Sequence, residues 1–224
     1  PQIAQLCEAH AAFYFAIGIH PWWIDPIKKA RGSGQNNHIK DFTQLATPWL
    51  RHKKCIAIGE CGLDAMITTP LQEQICLLEE HIELANIHQM PILLHSRKTD
   101  HHLLYLLKNN PLNAGGIRHA FTGSIQQGQA LIDHNLCLGI GGSITYERAA
   151  KTRKAVQALP LEHMVLETDA PDMPLKGFQG QTNTPGQIVR VAETLAQLRK
   201  TSFEHIVQTT TTTSSRLLQF IPHQ

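Results

Sequence analysis

Long apolar runs, paired cysteines and a charge excess are all missing from this 224-residue sequence. No stretch approaches the roughly 18 apolar residues of a membrane span, so we expect no membrane contact. The five cysteines show no C-x-x-C spacing, which argues against a disulfide framework or a zinc knuckle and favours the reducing cytoplasm. A net charge of +2 excludes a protein that binds polyanions through bulk charge alone. Any such binding must come from a local site.

Histidine, by contrast, is abundant, with fourteen residues in the chain. Its imidazole is the commonest metal ligand in proteins and is suited to proton transfer near neutral pH. The positions of the histidines therefore direct the search for a functional site.

Short apolar segments alternate with helical patterns along the whole chain. Six segments are predicted as strands: Phe13–His20, Cys55–Glu60, Pro91–Ser96, Gly115–Phe121, Leu136–Gly142 and Met164–Asp169. The helical patterns cover Gln2–His10, Gln72–His88, Asp100–Lys108, Ser124–His134, Tyr146–Ala158, Gln187–Lys200 and Ser202–Leu218. This alternation predicts an α/β protein with a parallel sheet. Because no linker or repeat divides the sequence, residues 1–224 are predicted to form a single domain.

Polar residues end five of the six predicted strands, and they are His20, Glu60, His95, His119 and Asp169. In a barrel the carboxyl ends of all strands meet at one mouth, whereas an open sheet spreads them along a line. We therefore predict a distorted TIM (β/α) barrel. Since six strands are fewer than eight, the first two strands and the first helix are expected to be missing from this sequence, in a further segment of roughly 40 to 55 residues that carries an H-x-H motif.

Four of these residues are the candidate metal ligands: Glu60, His95, His119 and Asp169. Imidazole and carboxylate together suit Zn, Mn or Fe, and carboxylate-rich sites also take Mg. A buried carboxylate needs a cationic neighbour, which an ion pair with Arg97 could also provide, but that alternative leaves the two histidines unexplained.

Other side chains are candidates for binding a substrate or supporting the ligands. Arg97 lies two residues after His95, on the same predicted strand face, and its planar fork fits phosphate oxygens. His20 either hydrogen-bonds a substrate or only ends its strand, and Phe121 could stack on a base. Glu167 either supports a ligand or is a deeper ligand itself. The basic group of Arg148, Lys151, Arg153 and Lys154 is interpreted as a solvated helix face.

Five motifs in the sequence together resemble the successive signatures of the TatD family. They are G-I-H-P at 18–21, I-G-E-C-G-L-D at 58–64, P-I-L-L-H-S-R at 91–97, R-H-A-F-T-G at 118–123 and L-E-T-D-A-P at 166–171. The stretch that follows, residues 171–185, is most similar to the YjjV-like branch. Members of this family are metal-dependent deoxyribonucleases of the amidohydrolase superfamily with a distorted TIM barrel.

The resemblance implies a role for each of the candidate ligands. Glu60 would bridge two divalent metal ions (Mg, Mn or Zn), and His95 and His119 would be ligands. Asp169 would be both a ligand and the general base, which makes Glu60 and Asp169 the catalytic pair. The substrate would be DNA, as a single strand or a 3′ end, and nothing in the sequence indicates a stable protein partner.

Two departures from the family pattern leave other functions open. No H-x-H motif occurs in the sequence, and a run of threonine stands at 209–213 where the family usually carries asparagine. A small-molecule hydrolase of amide, lactone or phosphoester bonds is one alternative, because fold does not fix the substrate. A metal-binding protein without catalytic activity is the other.

Overall fold

The computed structural model describes residues 2–31 and 42–219. The chain divides into two compact units, one made of Pro1–Gly116 with Leu218–Gln224 and the other of Ile117–Leu217. None of the helices in the described residues is both long enough and apolar enough to cross a membrane. The prediction of a single domain over the whole chain stays a prediction.

Three parallel strands and the helices between them make up the first unit. Its elements are α1 (Gln2–Ala9), β1 (Phe15–Ile17), α2 (Ile24–Arg31), α3 (Phe42–Leu50), β2 (Cys55–Asp64), α4 (Leu71–His88), β3 (Ile92–Arg97) and α5 (Asp100–Asn109). A short 3-10 helix, Pro21–Trp23, precedes α2. The strands are ordered β1-β2-β3, so each pairs with the next strand along the chain.

The second unit repeats the same alternation. Its elements are β4 (Gly116–Arg118), which begins at the boundary, then α6 (Ile125–Asp133), β5 (Leu136–Ile140), α7 (Ala150–Ala158), β6 (Met164–Leu166), α8 (Ile188–Arg199) and α9 (Phe203–Leu218). β5 pairs with β6 in parallel. Every residue of β5 is buried, as expected for a strand covered on both faces.

The six predicted strands are all present, but their observed ends differ from the predicted ones. β4 ends at Arg118 and β6 at Leu166, so His119 and Asp169 follow their strands instead of lying within them. β2 continues four residues beyond Glu60 to Asp64, so Glu60 lies inside the strand. β1 ends at Ile17, and His20 instead caps the 3-10 helix that follows. In β1 and β2 the apolar run does not match the length of the strand, because backbone pairing decides where a strand ends.

The helices α2 and α3 were not foreseen, because Pro26 and Pro48 interrupt their patterns. The threonine run at 209–213 is helical and lies inside α9. The hydroxyl of Thr210 donates to the carbonyl of Ile206, four residues earlier, which allows this buried threonine to lie within the helix.

His81 connects α4 to the segment that leads into His20. Its ring is fully buried and stacks on Phe42, with 3.7 Å between ring centroids. Nδ1–H donates to the carbonyl of Leu77 (2.7 Å), and Nε2 accepts the amide N–H of Ile19 (3.0 Å). Burial lowers the pKa of His81 to about 4, against a smaller raising effect of the Leu77 hydrogen bond. A neutral imidazole therefore fixes the residue next to His20.

This buried histidine should make stability fall in mild acid. Between about pH 6.5 and 4 the unfolded chain takes up a proton at His81 that the native state excludes, so the free energy of unfolding decreases as pH falls through that window. The shift corresponds to about 3 kcal/mol at most. The test is to measure the free energy of unfolding by urea denaturation from pH 7 to 4.5 for the native protein and for His81→Gln. Because glutamine cannot titrate, the variant should take up about one proton fewer than the native protein on unfolding. Equal pH slopes for the two proteins would contradict the assignment.

Candidate active site

Four side chains of the first unit form what we call the first cluster: His20, Glu60, Asp64 and His95. Single ligand atoms of His20, Glu60 and His95 lie within 4.8 Å of one another, a spacing that could hold a metal ion. Oε1 of Glu60 lies 3.2 Å from Nδ1 of His95 and 3.6 Å from Nε2 of His20. The two imidazole rings cross nearly edge to face, with centroids 4.4 Å apart.

Close backbone packing brings the His20 segment to β2. A Cβ atom at Gly18 would lie 2.5 Å from Cα of Gly59 and 2.8 Å from the carbonyl oxygen of Glu60. Only a residue without a side chain permits that approach. Gly18 thus accounts for the short distance between the His20 segment and Glu60.

Asp64, the buried member of the first cluster, is held at both backbone and side chain. The side chain of Gln74, which is buried in α4, accepts the amide N–H of Asp64 (2.7 Å) and donates to its carbonyl (3.1 Å). The carboxylate accepts the indole N–H of Trp22 (2.7 Å) and the amide of Met66 (2.8 Å). Burial alone would raise the pKa of the Asp64 carboxyl, but these hydrogen bonds and nearby His95 outweigh it and lower the pKa. Asp64 is therefore an anion.

The charge on Asp64 favours a proton on the His95 nitrogen that faces it. Nε2 of His95 lies 3.4 Å from Oδ2 of Asp64, within reach of a long hydrogen bond. With a single ring proton on the Asp64 side, Nδ1 has a lone pair that faces the Glu60 carboxylate. Two acceptors 3.2 Å apart require a proton or a cation between them. A histidine held by a carboxylate on its far side is a typical metal ligand.

His20 has the opposite arrangement to His95. Its Nδ1 accepts the amide N–H of Trp22 (3.2 Å), so the neutral ring carries its proton on Nε2. That Nε2–H is the group that faces Glu60. His20 therefore presents a hydrogen-bond donor, and it suits contact with a carboxylate or substrate oxygen better than metal ligation.

His119, Glu167 and Asp169 form the second cluster, in the second unit. Nδ1 of His119 lies 2.9 Å from Glu167, which also accepts the amide N–H of Ala120 (2.6 Å). Nε2 of His119 lies 3.2 Å from Oδ1 of Asp169. With the ring proton on the Glu167 side, Nε2 and Asp169 form a second pair of facing acceptors.

A glycine in β5 makes room for Glu167. A Cβ atom at Gly139 would lie 2.3 Å from Oε2 of Glu167, so the carboxylate occupies space that any other residue would fill. Glu167 thus contacts His119 through a hydrogen bond that fixes the ring. Of the two roles considered for Glu167 from the sequence, support of a ligand is the one that fits this geometry.

The donor sets of both clusters fit divalent metal ions. Each offers an imidazole lone pair and a carboxylate oxygen, the combination that Zn and Mn accept. Glu60 and Asp169 keep about a third of their side-chain surface exposed, so an ion and water could reach them. The predicted ligands are therefore paired as Glu60 with His95, and His119 with Asp169.

Of the two remaining predicted substrate contacts, Arg97 fits the structure and Phe121 does not. In β3 the residues 92, 94 and 96 are buried while 93, 95 and 97 are not, so Arg97 shares a face with His95 as predicted, and it is exposed. The prediction that Phe121 contacts the substrate is wrong, because its side chain is only 1% exposed. Its ring packs where Cβ atoms at Gly123 and Gly128 would contact it. A ring in the core cannot stack on a base.

Sequence reasoning missed Asp64 and the contact that Trp22 makes with it. The signal was present, since Asp64 lies four residues after Glu60 and period-2 alternation puts both on one strand face. The predicted strand ends at Glu60, whereas β2 continues to Asp64.

Comparison with known proteins assigns the chain to a family. Residues 1–219 match the family described as TatD related DNase. The chain belongs to the TatD family. It is 39% identical over 208 residues to the uncharacterized metal-dependent hydrolase YjjV of Escherichia coli K12, covering 92% of this chain and 77% of that protein. It is also 38% identical over 127 residues to the human 3′-5′ RNA nuclease TATDN2, covering 54% of this chain and 17% of that protein.

A solved structure of a TatD homologue confirms the fold class. The crystal structure of Escherichia coli YjjV matches with a TM-score of 0.87 and 37% identity, covering 98% of this chain and 82% of that chain. This TatD protein thus has the predicted α/β fold with parallel strands, of the TIM-barrel type, and it is a metal-dependent hydrolase. Closure of its strands into a barrel stays a prediction.

The far-side carboxylate of the first cluster gives a test of metal binding. Asp64→Asn puts an amide where Trp22 and His95 both donate, so the His95 proton should move to Nδ1 and block that nitrogen. We expect affinity for Mn²⁺ or Zn²⁺ to fall about 10- to 100-fold by calorimetry. ¹⁵N NMR of the metal-free protein should report the change of tautomer.

Glu83→Gln serves as the control, because it removes one carboxylate from the exposed face of α4. A His95 ring that is doubly protonated in the native protein at neutral pH would contradict the lone pair at Nδ1. So would unchanged metal affinity in Asp64→Asn.

Proposed function

We propose that this protein is a deoxyribonuclease that hydrolyses phosphodiester bonds of single-stranded DNA or of 3′ ends, using divalent metal ions and an activated water. The family description supports a nuclease. The observation that carries the proposal is the position of Arg97, an exposed guanidinium on the same strand face as His95. A guanidinium beside metal ligands suits a phosphate group, which it can hold by two parallel hydrogen bonds.

The metal ligands we propose are Glu60 and His95 in the first unit and His119 and Asp169 in the second, for two ions whose identity is Mg, Mn or Zn. A divalent ion, when bound, polarises the scissile group and makes water more acidic. Asp64 and Glu167 hold the two imidazoles so that their lone pairs are available. His20 offers its Nε2–H to an oxygen of the substrate.

Asp169 is proposed as the general base. Its side chain is 35% exposed, and Oδ1 lies 3.2 Å from Nε2 of His119. A carboxylate with this exposure can accept a proton from water on its second oxygen. Glu167, by contrast, is committed to His119 and to the Ala120 amide.

A cytoplasmic location remains our proposal. All five cysteines are free, and four of them are buried. Free thiols are typical of a reducing compartment.

Replacing the base tests the mechanism. Asp169→Asn keeps the shape but cannot take the proton, so kcat on a single-stranded oligonucleotide should fall about 10²-fold or more. Asp172→Asn is the matched control, since it makes the same change at an exposed carboxylate three residues away. Equal kcat values for the native protein and Asp169→Asn would remove Asp169 from the proton transfer.

Replacing Arg97 tests the substrate class. Arg97→Lys conserves charge but loses the bidentate contact, so kcat/KM on the oligonucleotide should fall clearly while Arg51→Lys, before the start of β2, should not change it. Oligonucleotide affinity should depend shallowly on salt, with a log-log slope of about −0.7 for each phosphate contacted. Three results together would favour a small-molecule hydrolase instead. Arg97→Lys would leave kcat/KM unchanged, salt would have no effect on affinity, and a small ester or lactone would be turned over rapidly. Metal binding without turnover of any of these substrates would favour a metal-binding protein without catalytic activity.

A further inference from the structure

A cavity of about 500 Å³ lies in the second unit, outside the second cluster. It is lined by residues from three segments that follow β4, β5 and β6, among them Thr122, Ser143, Tyr146, Arg148 and Met173. Thr122 comes three residues after His119, and Met173 comes four residues after Asp169. The cavity is thus built by the same segments that carry His119 and Asp169.

The chemistry of the wall combines an aromatic ring, a cation and hydroxyl groups. The guanidinium carbon of Arg148 lies 4.7 Å from the centroid of the Tyr146 ring. The phenol O–H of Tyr146 donates to the carbonyl of Pro174 (2.7 Å), which fixes the ring that carries the guanidinium. Thr122 and Ser143 add hydroxyl groups, and Met173 adds a polarisable thioether.

Arg148 differs from the other basic residues that were interpreted as one solvated face. Lys151 and Lys154 are exposed and do not line the cavity, and Arg153 donates to the carbonyl of Ile144. The charge of nearby Lys176 is balanced by Glu147, at 2.7 Å. Arg148 is therefore the basic side chain of that group that faces the cavity.

We propose that this cavity binds one unstacked nucleotide of the DNA strand, next to the phosphodiester that is cleaved. Its volume lies within the range of small-ligand sites. A planar guanidinium supported on a tyrosine can stack on a base and donate N–H groups to a phosphate. Bases inside a duplex are stacked and paired and cannot enter such a cavity, which favours single-stranded or frayed substrates. This inference rests on the proposed nuclease function.

The test compares two phosphodiester substrates. Arg148→Ala should raise KM for a dT₈ oligonucleotide about fivefold or more, the scale of one lost base contact. KM for bis(p-nitrophenyl) phosphate, a phosphodiester that contains no nucleotide, should stay unchanged. Lys154→Ala is the matched control, because it removes one exposed charge of α7 that does not line the cavity. An equal rise of KM for dT₈ in both variants would mean that Arg148 acts only through its charge, and it would overturn the proposal.

A binding measurement separates this proposal from the nuclease proposal. Calorimetry of the native protein with dTMP, thymidine and inorganic phosphate requires no turnover. We expect dTMP to bind more tightly than thymidine or phosphate, and Arg148→Ala and Tyr146→Leu to weaken it. Phosphate binding as tightly as dTMP would overturn the nucleotide site. If neither phosphodiester is hydrolysed but dTMP binding depends on Arg148, the nuclease proposal fails while the nucleotide site is supported.

Discussion

A neutral imidazole has one ring proton, and in both clusters of this protein the ring lies between two carboxylates. His95 has Asp64 on one side and Glu60 on the other, and His119 is placed in the same way between Glu167 and Asp169. With the ring N–H directed at one carboxylate, the lone pair of the other nitrogen faces the second carboxylate. Such a pair of acceptors is stable only when a positive charge lies between them. This arrangement is the structural reason why both histidines fit metal ligation.

Much of the surrounding structure serves to keep the proton-accepting carboxylates in place. Asp64 carries a negative charge in the core, a position that costs free energy unless several donors compensate it, and Trp22, Met66 and His95 do so. α4 contributes twice, with Gln74 on the backbone of Asp64 and His81 on the backbone before His20. In the second unit, the missing side chain of Gly139 makes the space for Glu167.

The fold class and the candidate ligands could be predicted from the sequence, because apolar runs and the polar residues near their ends follow from burial and period-2 alternation. The residues that hold the ligands in place were harder to predict. Gln74 holds Asp64 through contacts between α4 and β2, and no local pattern encodes a contact between two elements. Phe121 shows the opposite error, since an aromatic residue near a strand end has the same local signature whether its ring faces a substrate or the core.

The two histidines offer different nitrogens, and the difference sets which amino acids resemble them in shape. The amide group of asparagine occupies nearly the position of Nδ1 on an imidazole, whereas that of glutamine reaches the position of Nε2. His95 presents Nδ1 to Glu60 and His119 presents Nε2 to Asp169. Asparagine is therefore the isosteric replacement at position 95 and glutamine at position 119. Two residues of the same type thus face unlike constraints on what evolution or design could put in their place.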